Sequence, residues 1–143
     1  MSCSRSTGAG VFHERAPLDG AALAGIRARL RAYLETRGVA AQEAADVLLS
    51  VEEVTVNAIR HSHGREVDVS VTVSAHAVQV CVRDDGVGFR RARRTRCPDP
   101  WSADGRGLFL VSSLMDEVAV DCSQGALIAM RKRRGGVAPA AGR

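Results

Sequence analysis

Aromatic residues are scarce in this chain of 143 residues: Phe, Trp and Tyr together make up 3%. A core must then be built from Val, Leu, Ile and Ala. The same scarcity leaves the basic residues without interleaved aromatics, on which single-stranded nucleic acid would stack, so direct nucleic-acid binding is not expected. Nowhere do eighteen uncharged apolar residues occur together, and the first ten residues are small and polar, with no apolar run behind a basic start. The expectation is a cytoplasmic protein that is neither exported nor membrane-spanning. Cys3, Cys81, Cys97 and Cys122 show none of the close paired spacings of a zinc site or a redox motif, which makes four reduced thiols the expectation. There is no internal repeat.

What is present suits one soluble domain. Hydrophobic residues are 45% and charged residues 25%, and a chain of this length buries roughly two-thirds of the surface that its unfolded form exposes. The net charge of +4 comes almost entirely from arginine, concentrated in residues 90–96 and in Arg131-Lys132-Arg133-Arg134. Such charge attracts phosphates, nucleic acid or acidic proteins without choosing among them. The second cluster reads as a solubilising strand end. A flexible segment over 1–10, a folded domain over 11–134 and a disordered Gly/Ala/Pro tail over 135–143 complete the expected organisation.

Hydrophobic periodicity places the elements. An edge strand is expected over 11–15, stopped by Pro17. Leu23, Ile26, Leu30, Tyr33 and Leu34 recur at helical steps within 18–37, with Gly38 as the stop. Ala44, Val47, Leu48, Val51, Val54, Ala58 and Ile59 form a second helical stripe within 40–61. The period then falls to two: Val67, Val69, Val71 and Val73 alternate with polar residues, as do Val78, Val80 and Val82, which predicts an antiparallel hairpin. Residues 89–104 hold five arginines and two prolines and read as a long functional loop. A helix over 107–115 and strands over 118–120 and 126–130 follow. The fold class is α+β, a two-layer sandwich with helices on one face of a mostly antiparallel, mixed sheet.

Three segments carry chemistry. Glu53 and Asn57 stand four apart, on one helix face about one turn from each other, with His61 a further turn along. An amide oxygen can ligate Mg²⁺, and a carboxylate a turn earlier can orient or deprotonate an attacking hydroxyl. Alone, such a pair is more often part of an exposed polar face. Asp84-Asp85-Gly86-Val87-Gly88 follows a strand; its glycines permit close backbone approach to a flat ligand, and a carboxylate there can accept from an exocyclic amine. A hairpin exit turn is an equally good reading. Gly105-Arg106-Gly107-Leu108 precedes a helix whose first N–H groups form an anion site, or merely ends the loop. Order and context together favour a nucleotide site. His61 and His63 read as a polar helix end rather than a metal pair, and Trp101 as a loop anchor or a buried hydrophobe.

Together these segments resemble the N, G1 and G2 boxes of the Bergerat-fold ATPases, and the run from Gly105 to Val118 is similar to the anti-sigma-factor serine/threonine kinases of bacterial partner switching. Gly125-Ala126 stands where that family often has Gly-Thr, and Asp104 where many relatives have another glycine. The resemblance covers residues 11–134 and implies ATP and Mg²⁺ as cofactors. It implies Asn57 as the Mg²⁺ ligand, Glu53 as general base and Asp84 as the adenine reader. Gly86 and Gly88 would floor the base, and Gly105, Arg106, Gly107 and Leu108 would line the phosphates under a lid over 89–104. It further implies a sigma factor and a small antagonist protein as partners, a homodimer, and serine or threonine phosphorylation of the antagonist. A module that binds ATP and a partner without chemistry would carry the same residues.

Overall fold

The computed structural model describes residues 3, 10–61, 64–85, 106–121 and 125–135. Along them run β1 (Phe12–Pro17), α1 (Gly20–Thr36), α2 (Ala41–His61), β2 (Glu66–Val73), β3 (Ala77–Asp84), α3 (Arg106–Leu114), β4 (Glu117–Asp121) and β5 (Leu127–Arg133). The strands lie in the order β1-β2-β3-β5-β4, and each of the four described pairings is antiparallel. This is the expected α+β sandwich, although among the described residues the sheet is antiparallel and not mixed.

Strand alternation builds the core. Val67, Val69 and Val71 of β2 are fully buried and pair in register with Asp84, Val82 and Val80 of β3. Onto this face pack Ile26, Leu30 and Leu34 of α1, Val47, Val51 and Val54 of α2, and Val111 of α3. Phe12 is the one aromatic among the described buried residues, its ring centroid 5.6 Å from that of Tyr33. An aliphatic core of this kind is what the shortage of aromatics requires.

Element ends follow local chemistry. Strand β1 runs on to Pro17, opposite Glu66, which an edge position tolerates because one side of the strand needs no N–H donor. Helix α1 begins at Gly20 because Asp19 caps it, its Oδ1 accepting from the Ala22 N–H at 2.8 Å. It ends at the expected glycine: Gly38 has φ +73°, and the N–H groups of Gly38 and Val39 donate to the carbonyls of Glu35 and Leu34.

Two expectations are overturned. Cys3 and Cys81 are joined as a disulfide with their Cα atoms 6.1 Å apart, so these two are not reduced thiols; Cys97 and Cys122 lie outside the described residues. A separation of 78 residues hides such a pair from spacing rules, because only the folded sheet brings its members together. Nor is 131–134 simply a solubilising strand end. Arg134 donates to the carbonyls of Ser74 and Gly38 at 2.8 and 2.9 Å. Lys132 lies in the β5 row of Ile128 and Met130, and its Nζ reaches Asp46 of α2 at 2.9 Å and the Leu114 carbonyl of α3 at 2.7 Å. The lid expectation, with His63 and Trp101, and the tail expectation over 136–143 fall outside the described residues; Gly135, the first residue of that tail, is described and donates its N–H to Glu43 Oε2 at 2.7 Å.

Candidate nucleotide site

Asp84 is the last residue of β3, and the alternation that buries Val80 and Val82 also carries it into the layer facing the helices. It is only 6% exposed, and its Oδ1 has no hydrogen-bond partner among the described residues. Burial raises its pKa to about 6; the Ala126 backbone N–H, bonded to the carboxylate, opposes the rise, and the neighbouring Asp85 charge adds to it. A buried acceptor oxygen left without a donor fits an incoming N–H group such as an adenine amine.

The adjacent aspartate has a different task. Asp85 Oδ1 accepts from the Arg65 N–H at 2.6 Å and ties the end of β3 to the start of β2. Across the sheet, the Asp84 N–H donates to the Ala126 carbonyl at 3.0 Å. Gly125 has φ +84°, and a Cβ there would stand 2.6 Å from the Asp84 carbonyl oxygen. The sequence marks Gly125-Ala126 only through the resemblance, as the place where the family often has Gly-Thr; the reason for a glycine there is a neighbour 41 positions earlier, which no local signal shows.

Helix α2 contributes the second part. Glu53 and Asn57 are both partly buried. With Asp46 and Ser50 they recur at i, i+4, i+7 and i+11, which places all four on one stripe. Ser50 is fully buried with its Oγ unpartnered among the described residues. The preceding glutamate is used otherwise, since Glu52 pairs with Arg27 of α1 at 2.6 Å. Helix α2 packs on β3, on β5 and against α3.

The third part is the start of α3. Arg106, Gly107 and Leu108 form its first turn, where N–H groups without an intrahelical acceptor favour an anion. Gly86, Gly88 and Gly105 lie outside the described residues. Among the described residues no group of three His, Cys, Asp or Glu side chains could hold a metal ion, and no helix is long and apolar enough to cross a membrane.

Comparison with known proteins bears on the family and the fold. The serine-protein kinase RsbW of Bacillus subtilis (strain 168) is 29% identical, with 75% of each chain covered. The anti-sigma F factor of Bacillus velezensis is 29% identical over 90 residues, covering 57% of this chain and 62% of its own. The crystal structure of the RsbU and RsbW domains of Rv1364c from Mycobacterium tuberculosis superposes with a TM-score of 0.66 at 20% identity. It covers 86% of this chain, which spans about a third (32%) of that longer protein, and at this identity it speaks for the fold alone. Residues 16–132 match the family described as the histidine kinase-like ATPase domain, and the chain belongs to that family.

Proposed function

We propose that this chain is an ATP-dependent protein serine/threonine kinase and anti-sigma factor that phosphorylates a small antagonist protein. The observation that carries the reading is Asp84: a buried carboxylate with an oxygen unpartnered among the described residues, at the end of β3, a strand on which the helix bearing Glu53 and Asn57 packs. The similarity to RsbW and to an anti-sigma F factor supports the kinase and anti-sigma roles. Asp84 accepts the adenine amine, and Gly86 and Gly88 let the backbone approach the ring. The Asn57 carboxamide oxygen is a suitable donor for Mg²⁺, which keeps its waters and takes other oxygens from phosphates. When bound, Mg²⁺ would supply neutralisation of charge on the β- and γ-phosphates.

The first turn of α3 and Gly105 hold the phosphates through backbone N–H groups. Glu53, one turn before Asn57, accepts the proton of the serine or threonine hydroxyl as its oxygen attacks the γ-phosphorus and the bond to the β-phosphate oxygen breaks. Catalysis of this kind rests on positioning and electrostatics. A sigma factor held when the antagonist is absent, a homodimeric state and a cytoplasmic location complete the proposal, on the strength of the family resemblance.

The test is capture of partners from the native cell with and without ATP, followed by incubation with γ-labelled ATP and magnesium. Label on serine or threonine of a captured partner is the expected result. Nucleotide binding without any transfer would favour the silent binding module, and no binding of adenine nucleotides would overturn the site itself.

A further inference from the structure

Lys132 is the single lysine in a chain with nineteen arginines. Among the described ion pairs its side chain is the best buried of the Lys and Arg partners, 18% exposed against 14% for its partner Asp46. Its Nζ makes two contacts on two different helices: Asp46 Oδ2 at 2.9 Å on α2 and the Leu114 carbonyl at 2.7 Å, the last residue of α3. Asp46 is itself fixed, its Oδ1 accepting from Gln42 Nε2 at 3.0 Å. A compact ammonium with three donors suits a junction of this kind better than a planar guanidinium, and a cation at a helix C-terminus is favoured by the helix dipole.

Both helices carry phosphate-site residues at a distance from the lysine. Asp46 lies on the α2 stripe seven residues before Glu53 and eleven before Asn57. Helix α3 has nine residues, so its first turn stands roughly 13 Å from the end that Lys132 holds. A helix this short moves as a rod, and fixing its last carbonyl against α2 fixes the spacing between the α3 amides and Asn57. The base site does not depend on this junction, because Asp84 is held by β2 and by the start of β5.

We propose that Lys132, with Asp46, is a positioning residue that sets the spacing between the α2 and α3 halves of the triphosphate site. The inference rests on the reading of these elements as an ATP site. The test compares calorimetric binding of AMP-PNP with magnesium and of adenosine alone to the full chain and to its Lys132→Met, Lys132→Arg and Asp46→Asn variants. Lys132→Met keeps the apolar stem and loses the donors; it should weaken AMP-PNP at least fivefold and leave adenosine within twofold, with Lys132→Arg recovering most of the loss.

Equal loss for both ligands would mean a merely structural role and would overturn the proposal, as would unchanged AMP-PNP affinity in Lys132→Met. Should Lys132→Met fail to fold, Asp46→Asn decides by the same split between the two ligands. Failure of the wild-type chain to bind AMP-PNP would sink the ATP reading itself, a result distinct from normal binding in the variants.

Discussion

The Asp84 carbonyl oxygen fills the space in which a side chain on Gly125 would begin, so the start of β5 can pass this closely only as glycine. Its φ of +84° adds a second demand, since an L side chain pays roughly 1 kcal/mol there. Gly125→Ala should therefore cost about 2–3 kcal/mol, and for a domain of this size lower the melting temperature by roughly 5–10 °C. Adenosine binding should weaken with it, because the displaced strand carries the Ala126 contacts of Asp84. Calorimetric melting checks the first expectation; a midpoint within 1 °C of wild type would contradict it.

Asp84 also sets a pH dependence. Its ordinary value is 3.8, and in the folded chain burial raises it to about 6. The folded state thus holds the proton more tightly than the unfolded one. The neutral form's advantage is fully present below about 3.8 and is lost as pH rises through about 6, a difference of up to about 3 kcal/mol. Asp84→Asn stays neutral, so its melting temperature should gain on wild type between pH 5 and pH 7. A constant gap would show that the carboxylate is not strained by burial. Ligand binding should run the other way: an amine donates best to the ionised carboxylate, so adenosine should bind wild type about tenfold more weakly at pH 5 than at pH 7.

Much of this arrangement was legible because its signals are local. Valine alternation at 67–73 and 78–82 gave the hairpin, the Leu and Val stripes gave both long helices, and Gly38 gave a helix end. Glu53 and Asn57 were readable as a pair since helical spacing alone puts them on one face. The hidden features are long-range. Asp84 and Asp85 look alike in sequence, and only the sheet turns one toward the helices and bonds the other to the Arg65 amide. Likewise Lys132 sat unnoticed in a basic run until strand alternation aimed it at Asp46.

The division of labour on α2 can be tested at two positions. Glu53→Gln keeps size and hydrogen bonding but cannot take a proton, so phosphoryl transfer should fall by roughly 10²–10⁴ while AMP-PNP binds within twofold of wild type. Asn57→Ala removes the carboxamide oxygen, and the gain in AMP-PNP affinity on adding magnesium should disappear. Transfer at the wild-type rate in Glu53→Gln would remove Glu53 from the role of base, and persistence of the magnesium effect in Asn57→Ala would do the same for the metal ligand.

The Cys3–Cys81 bond separates stability from binding. By chain entropy a loop of 78 residues is worth up to about 4.5 kcal/mol, so reduction should lower the melting temperature of wild type and leave Cys3→Ser unaffected. Cys81 alternates with Val80 and Val82 and points to the sheet face opposite the helices, whereas Asp84, three positions on, points toward them. Opening the disulfide should therefore leave the base site in place. Adenosine affinity measured in oxidising and reducing buffer should agree within twofold even as the melting temperatures diverge; a parallel fall in affinity would show that the tether at Cys81 reaches the strand end at Asp84.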